Sequence, residues 1–174
     1  MEDCYHDTKY YNLVYDIINN NEFKKTDNCV HHGISRFDHS CRVSYFSYKT
    51  SKILGLNYKE VARAGLLHDF FLSENNTNKE KFKSMFAHSK KSLQNSEELF
   101  ELSEREKDII FTHMFPLNIQ RIPKYMESWV VSMVDKGVAV YEFSCTFRNK
   151  FLLKYQHALI LLFMIMGRSW FFVK

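Results

Sequence analysis

An imidazole and a carboxylate, His68 and Asp69, stand side by side at the end of Ala62-Arg63-Ala64-Gly65-Leu66-Leu67 and just before Phe70, Phe71 and Leu72. A segment of small and apolar residues packs closely, and neither polar group can leave water there without partners for its polar atoms. Whatever fold the chain adopts must bring other polar groups to this pair, or an ion to both. A metal ion meets the need because it takes ligands from imidazole and carboxylate together. His39 upstream, and His88, His113 and Asp135 downstream, extend the pair into a candidate ligand set, each within a segment that reads as helix.

The fold class follows from what surrounds these residues. Five glycines and two prolines among 174 residues argue against a turn-rich β-sandwich and for long helices. The length suits one compact domain that buries about two thirds of its unfolded surface. No repeat, low-complexity stretch or linker divides it. The expectation is an all-α, single-domain helical bundle over residues 1–174 with a metal site at its centre. Its metal-binding core spans about 36–136, and a C-terminal helix at about 147–166 packs on it.

Helical spacing of Tyr11, Val14, Tyr15 and Ile18 predicts a first helix over 10–18. Residues 27–37 read as irregular, with Gly33 as a turn residue. A long helix over 38–54 is expected to start with Asp38 as its N-cap and end at Gly55. Asn57 to Glu60 has a relaxed capping-box pattern opening the helix that leads to His68-Asp69. Residues 75–79 are the most loop-like in the chain, and a helix over about 88–100 follows. Ser103-Glu104-Arg105-Glu106 is a full capping box for the helix carrying Ile109, Ile110 and His113, which stops before Pro116. Helices over 126–143 and 147–166 complete the series, the second ending at Gly167. No strand pattern stands out.

The inward direction of the ligands has local support. His39 is expected on one stripe with Val43 and Phe46, and His68 with Val61, Ala64 and Gly65. His113 follows Ile109 and Ile110, and Asp135 sits between Val131 and Val138. Gly65 and Ala64, one turn before His68, would let a neighbouring helix approach closely. The spacing of the six residues is too wide for a zinc finger, so the ligands would converge from separate helices. Imidazole and carboxylate without thiolate suit a divalent transition metal, one or two ions of Mn, Fe, Ni, Co or Zn. Such an ion with an open position lowers the pKa of bound water to roughly 7 and so generates hydroxide for hydrolysis.

Several of these residues also suit other roles. His88 and His113 could serve as hydrogen-bond donors to the ligands or as substrate contacts. Arg36, Arg42 and Lys136 are candidates to stabilise a phosphoryl group, or else solvated or salt-bridged surface charges. Lys90 and Lys91 would meet an anion only if that helix start faces the cleft. His31 and His32 read as exposed loop histidines, and the Phe and Tyr residues as core.

Bulk properties exclude some partners. The net charge of +4 comes without a basic block of the kind that tracks a nucleic-acid backbone, so no nucleic-acid partner is expected. Cys4, Cys29, Cys41 and Cys145 show no CxxC spacing, and the acidic start has no signal-peptide character, so a reducing cytoplasm is expected. The longest apolar run, 158–166, is about half of a membrane span, so no membrane partner is expected. With Trp170, Phe171 and Phe172 it would serve as a homo-oligomer contact.

His39, His68-Asp69 and Asp135, in that order, resemble the signature of the HD-domain superfamily of metal-dependent phosphohydrolases. The resemblance covers about 36–136. Arg36-Phe37-Asp38-His39-Ser40-Cys41-Arg42-Val43 and Gly65-Leu66-Leu67-His68-Asp69 read as that family's first two helices usually do. The chain is similar to a subgroup of small bacterial members of this length. The resemblance implies that His39, His68, Asp69 and Asp135 are primary ligands, with Asp69 as the bridge between two ions, and that His88 and His113 complete a second site. It implies a hydrolase in which metal-bound hydroxide attacks a nucleotide or other small phosphate ester, and Asp69, Arg42 and Lys136 are the residues expected in catalytic roles beside it. A phosphodiesterase of the same architecture, and a non-catalytic metal-stabilised module that binds a nucleotide or protein partner, are the alternatives. The cyclic-dinucleotide branch places Gly and Lys after the pair, where this chain has Phe71 and Leu72, and has two histidines where it has His113 alone. Cyclic-di-GMP is therefore not the expected substrate. A long stringent-response enzyme is not expected either, since no nucleotidyltransferase or regulatory domain is attached.

Overall fold

In the computed structural model the backbone is described for residues 6–31, 34–72 and 78–171, and side chains for 6–29, 34–72, 88–148 and 151. The helices are α1 (Thr8–Ile18), α2 (Asn21–Lys24), α3 (Arg36–Ile53), α4 (Tyr58–Leu67), α5 (Asn78–Leu99), α6 (Glu104–Thr112) and α7 (Met126–Phe171). A 3-10 turn, Lys25–Asn28, follows α2. The protein is all-α, with one addition that the sequence pattern does not announce. Val30–His31 (β1) and Ile34–Ser35 (β2) pair antiparallel, Val30 opposite Ser35 and His31 opposite Ile34. This short ladder leads directly into α3. The side chains of His31 and His32 lie outside the described residues.

The chain divides into two compact units, Met1–Ala139 and Val140–Lys174. The core expected at 36–136 lies in the first. The packing expected of residues 147–166 depends on side chains outside the described residues. Where two helices were expected around 143–147, the backbone forms one. Ser144 and Thr146 donate their hydroxyls to the carbonyls of Tyr141 and Glu142, so both polar groups are satisfied without ending the helix.

Caps set the helices that carry the site. Asp38 was the expected N-cap of α3, but the cap is Ser35, whose hydroxyl accepts from the Asp38 amide at 3.0 Å. The helix thus begins two residues early and includes Arg36. Gly55 closes the helix region at φ 69°, a conformation that costs glycine little. Asn57 caps α4 through the Glu60 amide. The capping box at α6 is complete, with Ser103 and Glu106 each accepting the other's amide.

Helix α4 is enclosed by α3, α1 and α6, and its Val61, Ala62, Ala64, Leu66 and Leu67 are fully buried. Full burial of one such leucine contributes about 1.5–3 kcal/mol. The closest approach is at Gly65, where a Cβ would stand 3.1 Å from the Ser44 Cα of α3. Ser44 also donates to the Ala62 carbonyl at 2.5 Å and accepts from the Tyr10 hydroxyl at 2.8 Å, joining α1, α3 and α4 at one point. Two predicted stripes shift. On α1 the buried positions are Tyr10, Val14, Ile17 and Ile18, while Tyr15 is exposed. On α3 Val43 is buried but Phe46 is exposed, and Ser40, Ser44, Ser47 and Ser51 form the inward face.

Candidate metal centre

The six predicted ligands all arrive in one place. They form two groups of three, His39 with His68 and Asp135, and Asp69 with His88 and His113, in each of which one ligand atom per residue lies within 4.8 Å of the others. His39 comes from the first turn of α3, His68 from the residue that caps α4, and Asp135 from α7. Asp69 follows His68 beyond the end of α4, His88 lies within α5, and His113 caps α6. Asp69, expected at the first ion and as the bridge, falls with the second pair of histidines but faces both groups. Its Oδ1 is 3.4 Å from His88 Nε2 and 3.5 Å from His113 Nε2, and its Oδ2 is 3.8 Å from His68 Nε2.

Helix ends decide how the two most buried rings present their nitrogens. His68 Nδ1 lies 2.8 Å from the Gly65 carbonyl and His113 Nδ1 2.7 Å from the Ile110 carbonyl. A carbonyl only accepts, so each Nδ1 carries a proton, and in the neutral ring Nε2 is the nitrogen with the lone pair. His68 Nε2 and Asp69 Oδ1 are then two buried acceptors, and neither has a hydrogen-bond partner among the described residues. Two acceptors sharing a buried space without a donor call for a cation. The donor set therefore fits a divalent ion.

The remaining geometry agrees. His39 Nε2 is 3.0 Å from Asp135 Oδ1, and His88 Nε2 is 3.0 Å from His113 Nε2. Burial opposes ionisation of Asp69, but the surrounding His68, His113 and His88 outweigh it and hold the carboxyl well below the usual range. Asp135 is likewise held well below it, burial being overcome by His39, His68 and Lys136. Burial, reinforced by the neighbouring His113 and His68 and opposed by Asp69, lowers His88 to about 4. At neutral pH the centre thus offers ionised carboxylates and a neutral His88, the forms that bind metals. Asp69 keeps 22% side-chain exposure against 0% for His68, which marks the open side.

The three basic candidates fare differently. Arg36 is 8% exposed, and its guanidinium donates to the Phe71 carbonyl and lies 3.8 Å over the Phe71 ring. It is a buried structural cation rather than a surface charge or an open phosphate contact. Lys136 reaches the centre from within, donating to Asp135 Oδ2 at 2.9 Å and to the His113 carbonyl. Arg42 is half-buried on α3, one turn after His39. Lys90 and Lys91 are exposed on α5.

Sequence reasoning missed two contributors. Ser132, one turn before Lys136, donates to the same His113 carbonyl at 3.0 Å, so α7 grips the end of α6 while presenting Asp135. A serine and a lysine four apart on an otherwise apolar helix face were the available signal. Phe71 stacks on His88 with ring centroids 5.2 Å apart and planes at 24°. Nothing in an apolar run distinguishes it from core.

A protein-family model described as HD domain matches residues 36–141, more than half of the chain. No curated protein and no solved structure matches.

Proposed function

The chain belongs to the HD-domain family, a family of metal-dependent phosphohydrolases, and on that premise we propose that it hydrolyses the phosphate ester of a nucleotide or other small phosphorylated metabolite. The observation that carries this reading is the pair of orphaned acceptors, His68 Nε2 and Asp69 Oδ1, between two three-residue groups. A divalent ion held by such groups supplies Lewis acidity, polarising phosphoryl oxygens and bringing the pKa of water down to roughly 7. His39, His68 and Asp135 would hold one ion, and His88, His113 and Asp69 would hold a second. Asp69, whose side chain is 22% exposed, would take a proton from the attacking water. Lys136 holds Asp135 and the end of α6 in place, and Arg42, one turn after His39 on α3, is proposed to stabilise charge on the phosphoryl group.

The choice of substrate within that class lies in the shape of the surrounding cleft rather than in the ligands. Among the described residues no helix is long and apolar enough to cross a membrane. The test joins elemental analysis of protein purified without chelator to a monoester and diester screen with added Mn, Fe, Ni, Co or Zn. Bound transition metal with metal-dependent monoester turnover is the expected result. Diester turnover alone would change the reaction class, and bound metal with no turnover of any ester would make the protein a binding module.

A further inference from the structure

We propose that Arg36 and Phe71 form a positioning pair that sets the ring of His88, and through it the affinity of the Asp69–His88–His113 group for its ion. The inference rests on the two-ion reading above.

Phe71 is fixed at every functional part. Its amide donates to the Asp69 carbonyl at 2.8 Å, and its own carbonyl accepts from Arg36. One neighbour of its ring is the Arg36 guanidinium at 3.8 Å, and another is the imidazole of His88, stacked at 5.2 Å and 24°. The preceding carbonyl, that of Phe70, accepts from Asn95 on α5 at 2.9 Å. The segment carrying Asp69 is therefore tied to the start of α3 and to α5, the helix that bears His88.

The physical consequence concerns a rotation. A histidine in mid-helix has a broad, soft torsion about its ring, so helix position alone does not aim Nε2. A nearly parallel phenyl face removes that freedom and leaves the Nε2 edge directed at His113 Nε2, 3.0 Å away. The phenyl is itself held by a buried cation that has to satisfy its own charge. The guanidinium does so on a carbonyl and a ring face, an arrangement a planar fork can make and a lysine ammonium cannot. Partners of this outer kind typically govern metal affinity by about 10- to 100-fold. One helix start thus serves both groups, His39 as a ligand of the first and Arg36 as support of the second.

The experiment is calorimetric titration of chelator-stripped full-length protein with Mn²⁺, comparing wild type with Phe71→Leu, Phe71→Tyr and Arg36→Lys. Wild type takes up two ions. Phe71→Leu, which keeps an apolar side chain but no ring face, weakens the second ion about 10- to 100-fold and leaves the first unchanged. Phe71→Tyr restores the ring face and the affinity, and Arg36→Lys weakens the second ion alone. Unchanged affinity for both ions in Phe71→Leu would overturn the inference. Equal weakening of both ions would overturn it too, because Phe71 would then be a packing residue of the whole core. A single ion in wild type would reject the two-ion reading itself, a result distinct from either.

Discussion

His39 and Asp135 meet as donor and acceptor, ring nitrogen to carboxylate oxygen, whereas His88 and His113 meet at the same 3.0 Å as two ring nitrogens. The first contact is complementary without help. The second is complementary only if one ring donates a proton or a cation stands between them. The supports differ as well. The first group takes two of its residues from within long helices, α3 and α7. The second joins Asp69, beyond the end of α4, to His113 at the end of α6, and adds a helical His88 steadied by a neighbouring ring. A preformed group binds its ion with less ordering cost than one assembled from segment ends. The first ion is therefore expected to be the tighter, and the second the one open to tuning.

The largest effect that could break this comparison comes from the residue facing both groups. Asp69→Ala should lose both ions and bring turnover to background, read by elemental analysis beside an esterase assay. Full metal occupancy in that variant would show that the two groups do not share it.

Next comes the acid response of the second group. His88 has a folded pKa of about 4, below its ordinary 6.5, so above pH 6.5 it is neutral in folded and unfolded chains alike. As pH falls from 6.5 towards 4, the unfolded chain binds a proton that the folded chain refuses, and stability drops by roughly 3 kcal/mol. Asp69 and Asp135, held below the usual carboxyl range, give up their stabilisation only at still lower pH. Denaturant unfolding of chelator-stripped protein at pH 7 and pH 4.5 should show the loss, and His88→Gln should flatten it. An equal slope in both proteins would place the acid sensitivity elsewhere.

Gly65→Ala tests the frame of the first group. Its new methyl meets backbone of α3, which cannot turn aside as a flexible side chain can, so a loss of about 1–3 kcal/mol is expected from the thermal midpoint. A neutral result would mean that α3 and α4 slide apart freely beside His68. The smallest effect belongs to Ser103→Ala, which removes the cap of α6 at the end away from His113. It should cost about 1 kcal/mol with metal content unchanged. Lost metal there would show that the second group depends on the whole of α6.

Much of this was legible in the sequence, for identifiable reasons. Capping chemistry is local, so the box at Ser103 and Glu106, the turn at Gly55 and the cap at Asn57 could be read directly. The convergence of the six residues was legible because imidazoles and carboxylates at helical positions in apolar surroundings need partners once buried. The inward face of α3 was not. It is built from Ser40, Ser44, Ser47 and Ser51, and a hydropathy pattern gives no weight to residues chosen for small size. Tyr15 misled in the opposite way, because α1 carries aromatic residues on both faces, and Tyr10, whose hydroxyl reaches the buried Ser44, takes the inward place while Tyr15 is exposed. Asp38 drew attention away from Ser35, since either residue type can cap a helix and only the backbone path from β2 decides between them. The role of Arg36 depends on Phe71, 35 residues away, and no local pattern contains it.

The contact between His39 and Asp135 spans 96 residues of chain. During synthesis, a chain that has not yet delivered Asp135 has two of the three residues of its first group and no complete place for that ion. Uptake of an ion by that group should therefore be a late event, and chains that stop short of Asp135 should go without it. Once bound, an ion present at 100 times its dissociation constant adds about 2.7 kcal/mol to the folded state. An ion shared by His39 and Asp135 would then fasten the two ends of most of the first unit together, and resistance to proteolysis should rise and fall with metal supply.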